Sequence, residues 1–463
     1  MLQGRSNRKN ESSRDMYSND TIAAIATPPG KGGIGIVRVS GPLAASTATL
    51  ILGSLPAERV ATFSKFFDED GIAIDQGIAL FYRAPHSFTG EDVLELQGHG
   101  GPVVLNLILS RVVKIGGRLA RPGEFSERAY LNDKIDLTQA EAIADLIDSA
   151  TVNAARGALR SMQGQFSSRV RQITDALIEF RMFIEAAIDF PEEEIDFLQD
   201  PGLMRRIDML TSDLHALSKD AEQGALLREG FTIVLAGRPN AGKSSLMNQL
   251  TGKDTSIVTE ISGTTRDIID EHIQIDGLPI KLVDTAGLQQ AEDPIEMEGV
   301  RRALEQIGKS ELVLLIVDVG AHHQHLAKHI DMLLAKLPDG SKYLVVLNKS
   351  DLWCGEIIGL RHEYVFASTK TSGGLEELKD RIKSSINYSG SEGAFIARAR
   401  HTDALRRALE ALERGKLVFD QRRSGDLLAE DLRATEMALG EISGDFSSDD
   451  LLGKIFSTFC IGK

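Results

Sequence analysis

The stretch FTIVLAGRPNAGKSSLMNQL, Phe231–Leu250, decides the fold of the middle of this chain. Its opening run FTIVLA is apolar throughout, which predicts a strand buried on both faces of a mainly parallel sheet. The strand leads into GRPNAGKSS (Gly237–Ser245), which matches G-x-x-x-x-G-K-S, and a helical pattern follows. A glycine-rich turn in that setting lets backbone N–H groups approach phosphate oxygens, and the helix N-terminus adds positive potential. Lys243 would bridge the terminal phosphates and Ser244 would ligate Mg²⁺. Asn240, Ala241, Gly242 and Ser245 complete the cradle.

Further apolar runs follow: LPIKLVDTAG, ELVLLIVDVG and KYLVVLNKSD. The first ends on Asp284, Thr285, Ala286 and Gly287. Asp284 can hold Mg²⁺ through water, and the Gly287 N–H can reach the terminal phosphate. Between the two motifs lies GTTRD (Gly263–Asp267), where Thr265 offers a second hydroxyl to Mg²⁺. The last run ends on NKSD, with Asn348, Lys349 and Asp351. The Asp351 carboxylate can accept both the ring N–H and the exocyclic amine of guanine. Adenine lacks that amine and would leave a buried charge unpaired, a discrimination worth orders of magnitude. ASTKTSGG (Ala367–Gly374) completes the base pocket through backbone N–H groups. The expected nucleotide is therefore GTP.

The residue after the DTAG motif is Leu288, which is apolar and cannot orient water. Gln289, Gln290 and Glu296 are the nearby candidates for that task. Charge on the phosphates can be met by an arginine finger or by a monovalent cation. Asn240 supplies a side-chain oxygen for such a cation, and it also suits a turn.

The chain has 463 residues, enough for two or three domains. Its formal net charge of −15 excludes bulk electrostatic attraction to nucleic acid, so an RNA substrate needs a local basic patch or a partner. Two cysteines, Cys354 and Cys460, give neither a disulfide framework nor a zinc pattern. No apolar run is long enough to span a membrane, and a reducing, cytoplasmic setting is expected. Residues 1–18 are polar and read as a disordered extension, with Met16 as an alternative start. Residues 19–135 mix strands with the helix PVVLNLILSRVVKI, ended by Gly116, and read as an α/β domain. Residues 136–228 carry apolar positions at helical spacing and almost no breakers. Residues 229–390 form the inserted α/β domain, and 391–463 return to helix. The expected fold class is thus α/β plus all-α, multidomain, without internal repeat. AHHQHLAKH (Ala321–His329) reads as a solvated loop and helix start rather than a metal site, and DFPEEEIDF (Asp189–Phe197) as a solvated turn.

From residue 19 to the end the sequence resembles the tRNA-modifying GTPases called MnmE or TrmE. The likeness rests on NDTIAAIATPPGKGGIGIVRVSG, SFTGEDVLELQGHGGP, ARPGEFSERAYLNDKIDLTQAEA, GRPNAGKSSL, GTTRD and the terminal CIGK. It implies a folate-binding N-terminal domain, a discontinuous helical domain and an inserted, potassium-dependent, Ras-like G domain. It also implies a homodimer formed through the N-terminal domains, working with the flavoprotein MnmG (GidA) in a heterotetramer or larger complex. FAD would enter only through that partner. The implied reaction installs a carboxymethylaminomethyl or aminomethyl group at carbon 5 of the tRNA wobble uridine, with a one-carbon unit from 5,10-methylene- or 5-formyl-tetrahydrofolate.

By matching position, the resemblance assigns potassium to Asn240, Thr259, Ile261 (through its carbonyl) and Thr264, within the loop that also holds Glu260, Ser262 and Gly263. It places the water-orienting carboxylate at Glu296 rather than at either glutamine. It assigns folate contacts to Arg38, Glu95, Lys134 and Lys463, each of which on its own would read as part of a surface ion pair. The rival class is a regulatory, ribosome-assembly-type GTPase switch; those usually carry a basic RNA-binding domain, which this acidic chain lacks.

The chain ends on Cys460-Ile461-Gly462-Lys463. A prenylation box wants an aliphatic residue where Gly462 stands and a different terminal residue from Lys463. The expectation is that the tail returns to the folate side. Cys460 is then either a catalytic thiol or a small buried residue that positions the tail.

Overall fold

The computed structural model describes residues 20–189, 201–251, 269–284, 294–321, 326–353, 359–388, 393–445 and 449–462. The first part of the chain runs β1 (Ile22–Ile25), β2 (Gly32–Ser40), α1 (Ala44–Leu52), β3 (Thr62–Phe67), β4 (Ala73–Tyr82), β5 (Val93–Gly100), α2 (Pro102–Ile115), β6 (Arg118–Leu119) and α3 (Glu124–Leu131). Its sheet has the order β3-β4-β5-β2-β1-β6. The described pairings are antiparallel except β1 with β6. Apolar residues of α1 and α2, such as Ala48, Ile51, Ile108 and Val112, close over one sheet face with Val37, Phe66, Phe81 and Leu96. Proline opens α2, where its missing N–H costs nothing, and Gly116 ends it as expected.

The strands β1, β2, β4 and β5 fall in stretches that read as strands, whereas α3 was not legible in the sequence. The helix α3 has the charged sequence EFSERAYL, yet seven of its eight residues are buried. Ion pairing makes that burial tolerable. Arg128 is buried and donates to the Asp20 carboxylate at 2.6 Å, to Glu91 at 3.0 Å and to Glu124 at 3.2 Å. Glu124 also receives Arg118 and, at 2.8 Å, the Arg121 N–H. Burial opposes the charge on Glu124, but these donors outweigh it and hold its pKa down to about 2.

Helices then dominate, with α4 (Leu137–Ile147), α5 (Val152–Met162), α6 (Gln165–Asp189) and α7 (Pro201–Glu229). The second sheet region runs β7 (Phe231–Gly237), α8 (Lys243–Leu250), β8 (Ile269–Ile275), β9 (Leu278–Asp284), α9 (Pro294–Lys309), β10 (Leu312–Asp318), α10 (Leu326–Leu334), β11 (Tyr343–Asn348), β12 (Tyr364–Phe366) and α11 (Leu375–Ser385). Three helices complete the described chain: α12 (Ala399–Arg422), α13 (Gly425–Ser443) and α14 (Asp449–Ser457). The second sheet has the order β12-β11-β10-β7-β9-β8 and is parallel except for the edge hairpin β8–β9. The apolar runs of β7, β10 and β11 are buried strands but for one residue each, whereas β9 alternates, with Pro279 and Lys281 half-buried.

The chain divides into two compact units. One comprises residues up to Ala144, Ser161–Leu217 and Asp403–Lys463; the other comprises Asp145–Arg160 and Ser218–Thr402. In the first, α6 packs along α13. In the second, Ala154 and Ala158 of α5 and Leu227 of α7 share a core with strand residues Ile233, Ile273 and Ile280. The solvated reading of 321–329 fails at His329, which is buried on the inner face of α10. His322, His323 and His325 lie outside the described residues, as does the acidic run after Asp189. Among the described residues no cluster of three or more His, Cys, Asp or Glu could hold a metal ion, and no helix is long and apolar enough to cross a membrane.

Candidate functional site

The parallel sheet delivers its chemistry at strand ends, the usual place for a ligand in an open α/β sheet. Gly237 ends β7, Asp284 ends β9, Asp318 ends β10 and Asn348 ends β11. Residues 238–242 turn from β7 into α8, with Arg238, Pro239 and Asn240 exposed. Asn240 has a φ of 62°, so its turn-forming role is realised: asparagine is among the few non-glycine residues that take the left-handed region readily. Gly242 has a φ of 96°, and a Cβ there would stand 2.1 Å from the Asn348 Nδ2. Only glycine fits.

That close approach joins two motifs 106 residues apart. Asn348 is fully buried and donates from Nδ2 to the Ala241 carbonyl at 2.8 Å. Its Oδ1 has no hydrogen-bond partner among the described residues, a buried polar atom left for a ligand or water to satisfy. The neighbouring Lys349 has a φ of 60°, and its Nζ donates to the Asp318 Oδ2 at 2.5 Å. Asp318 in turn accepts the Gly320 N–H on Oδ1 at 2.9 Å. Asp351 accepts from the buried Ser368 hydroxyl at 2.6 Å on Oδ1, which aims the carboxylate. The Ser368 segment is held by Gln249 of α8, which donates to the Thr369 carbonyl. The turn before α8, the Asn348–Asp351 segment and the ASTKTSGG segment are thus one bonded assembly. Ser244 Oγ lies 3.3 Å from the Asp284 Oδ2, so the hydroxyl and carboxylate expected to serve one Mg²⁺ stand together. Neither Asp318 nor Gln249 was singled out from sequence, because neither belongs to a short motif.

Several expected site residues lie outside the described residues: Thr259, Glu260, Ile261, Ser262, Gly263, Thr264, Thr265, Thr285, Ala286, Gly287 and Lys463. The same is true of Leu288, Gln289 and Gln290. Glu296 falls within α9, but its side chain is not described.

The second site is on the face of the N-terminal sheet. Arg38 of β2 and Glu95 of β5 are directly opposed in register. The guanidinium donates from Nε to the carboxylate at 2.9 Å, with side chains 25% and 13% exposed. This is a half-buried pair rather than a surface one. Arg38 also lies over the Phe125 ring, 5.7 Å from its centroid. Its Nη1 donates to the Gly462 carbonyl at 3.4 Å, so the tail does come back to this sheet. Phe456 and Phe459 anchor the tail among Tyr130, Leu131 and Leu137, and the Gly123 N–H donates to the Cys460 carbonyl at 3.3 Å. Cys460 itself is exposed, which overturns its reading as a small buried residue. Lys134 is exposed, and its Nζ donates to the Pro85 carbonyl at 2.7 Å.

The family model for the MnmE helical domain matches residues 137–460, and that for the GTP-binding protein TrmE N-terminus matches residues 21–134. The tRNA modification GTPase MnmE of Pseudomonas syringae pv. tomato is 54% identical over 454 residues, covering 96% of this chain and 99% of the relative. That of Pseudomonas putida strain KT2440 is 55% identical over 452 residues, with the same coverage. The chain belongs to the MnmE family.

Proposed function

We propose that this member of the MnmE family is the GTP-hydrolysing subunit of a cytoplasmic tRNA-modification system acting at the wobble uridine. The observation that carries the reading is the full-length likeness to relatives named tRNA modification GTPases, in a chain whose G-x-x-x-x-G-K-S turn is bonded to its N-K-S-D segment through Asn348 and Ala241. The working division is a folate-binding domain at 19–135, a helical domain at 136–228 and 391–463, and a G domain at 229–390. The chain acts as a homodimer with a flavoprotein partner of the MnmG type, which brings FAD, and tRNA is the substrate.

In this scheme Lys243 and the backbone of 240–245 hold the phosphates, and Asp351 reads guanine. Ser244 and Thr265 hold Mg²⁺; Asn240, Thr259, Ile261 and Thr264 hold K⁺. The two cations supply neutralisation of phosphate charge. Glu296 orients the attacking water. Arg38, Glu95, Lys134 and Lys463 hold the reduced folate: cations suit its glutamate tail and a carboxylate suits its pterin edge. Cys460, exposed on the tail beside that face, is the candidate thiol for one-carbon chemistry.

The test is mass spectrometry of wobble uridine in tRNA from cells lacking this protein, complemented by wild type or by Cys460→Ser. Loss of the C5 substituent on deletion is the expected outcome, and unchanged uridine would refute the function. Restoration by Cys460→Ser would refute the thiol's role alone. Replacing K⁺ by Na⁺ in purified enzyme is expected to slow GTP turnover sharply; equal rates would remove Asn240 from the potassium role.

A further inference from the structure

We infer that α5, outside the expected G-domain boundaries, is mechanically tied to the nucleotide site through the turn of the β8–β9 hairpin, and that Thr151 and Asn153 make the tie. The inference rests on the guanine-nucleotide reading above. In sequence the hairpin joins the two nucleotide segments: β8 begins just after GTTRD, and β9 ends on Asp284 of DTAG. Each strand has seven residues, so the turn stands roughly 20 Å from the open end. Antiparallel pairing from Ile269↔Asp284 to Ile275↔Leu278 makes the hairpin a continuous ladder between those two points.

The turn itself is Asp276-Gly277, with φ values of 50° and 81°, the dipeptide and the hand that a two-residue hairpin favours. Both of its carbonyls, which a free hairpin would present to water, are taken by the helical segment. Thr151 is buried and donates from Oγ1 to the Gly277 carbonyl at 2.8 Å. The same oxygen accepts the Ala154 N–H at 3.1 Å and so caps the start of α5. Asn153 donates from Nδ2 to the Asp276 carbonyl at 3.2 Å. The fit is close: a Cβ on Gly277 would stand 2.0 Å from Asn153 Nδ2. Lys383 of α11 adds an ion pair to the Asp276 carboxylate.

Beside this tie the packing is open. A cavity of about 350 Å³ is lined by Asp148, Ser149 and Ala154 on the helical side and by His272, Pro279 and Lys281 on the hairpin side. A hydrogen-bonded ladder held at one end passes a displacement of its other end to the holder. By linkage, the holder biases the nucleotide segments in return.

The test compares amide hydrogen exchange of the full chain with GDP and with a non-hydrolysable GTP analogue, for wild type and for Thr151→Val/Asn153→Ala. Nucleotide affinity is measured by calorimetry on the same samples. In wild type, exchange of residues 151–158 is expected to differ between the two nucleotides by about threefold or more, alongside a change in 269–284. In the double variant the hairpin difference should persist while that of 151–158 disappears, and Thr151→Ser should restore it. Asn153→Ala alone, at a half-exposed position, covers the case in which the double variant fails to fold. The inference is overturned if 151–158 ignores the nucleotide in wild type, or if the variants keep the wild-type dependence. Absence of guanine-nucleotide binding by wild type would instead overturn the reading on which it rests, and calorimetry tells these apart.

Discussion

Each of the two sheets has six strands, yet they assemble their sites in opposite ways. The nucleotide sheet is parallel but for β8, so its other five strands all finish at one end. Gly237, Asp284, Asp318 and Asn348, scattered over 112 residues of sequence, meet there because each is the last residue of its strand. The N-terminal sheet is almost wholly antiparallel, so strand ends alternate and no edge collects them. It works with a face: Arg38 and Glu95 are mid-strand, opposed across β2 and β5, and the tail is laid against them from 424 residues further on. A parallel sheet writes its site into short motifs at strand ends. An antiparallel face writes its site into register, which no local stretch records.

If this contrast is right, damage to one region leaves the other's function standing. The largest effect is expected for Glu124→Gln, which leaves the buried Arg128 short of one of its acidic partners. A loss of about 3 kcal/mol in the first unit is expected, because breaking a buried ion pair leaves charge uncompensated. It is read by chemical denaturation, with guanine-nucleotide affinity retained; a joint loss of both would break the contrast. The pH dependence sharpens it. Because the folded pKa of Glu124 is depressed, its stabilisation is present above the ordinary carboxylate pKa. It is lost as pH falls from about 4.5 through about 2, and Glu124→Gln should flatten the acid limb of the melting-temperature profile there.

Next in size is Gly242→Ala. The added methyl meets Asn348 Nδ2 and forces alanine to a positive φ. Guanine-nucleotide affinity should fall by about 100-fold, an effect near 2.7 kcal/mol, while the folate binding proposed for the N-terminal domain should be unchanged. Fluorescent-nucleotide titration and folate calorimetry on one sample decide it. The smallest effect is expected for Asp318→Asn, which frees Lys349 without touching the phosphate loop. GDP should dissociate about fivefold faster, and a double-mutant cycle with Lys349→Met should show the two changes to be non-additive. Additive effects would mean that Asp318 acts elsewhere than on Lys349.

How far the sequence could be read follows the same divide. Glycine spacing, a lysine and a hydroxyl between an apolar run and a helical pattern announce a phosphate loop, because backbone geometry over nine residues is enough to build one. The motifs around Asp284 and Asp351 were legible for the same reason. The charged helix α3 was not, since its burial depends on Asp20 and Glu91, which lie far away in the chain. Nor was the exposure of Cys460, or the burial of His329 in what reads as a solvated stretch. Periodicity placed the described residues of 136–228 largely in helices, as observed, but assigned them together. Packing sends Asp145–Arg160 to the nucleotide unit and Ser161–Leu217 to the other.

Sequence alone therefore determined four of the six strands of the nucleotide sheet and the helix after the glycine-rich turn, which nucleotide they await, and the family to which the chain belongs. Those follow from hydrogen-bonding geometry and residue chemistry within a few turns of backbone. Tertiary structure alone decided that Lys349 answers to Asp318, that Arg38 faces Glu95 in register, and that Thr151 and Asn153 grip the turn at Asp276-Gly277. Those pairings are selected by sheet register and by competition among buried groups for partners, and both are properties of the folded chain as a whole.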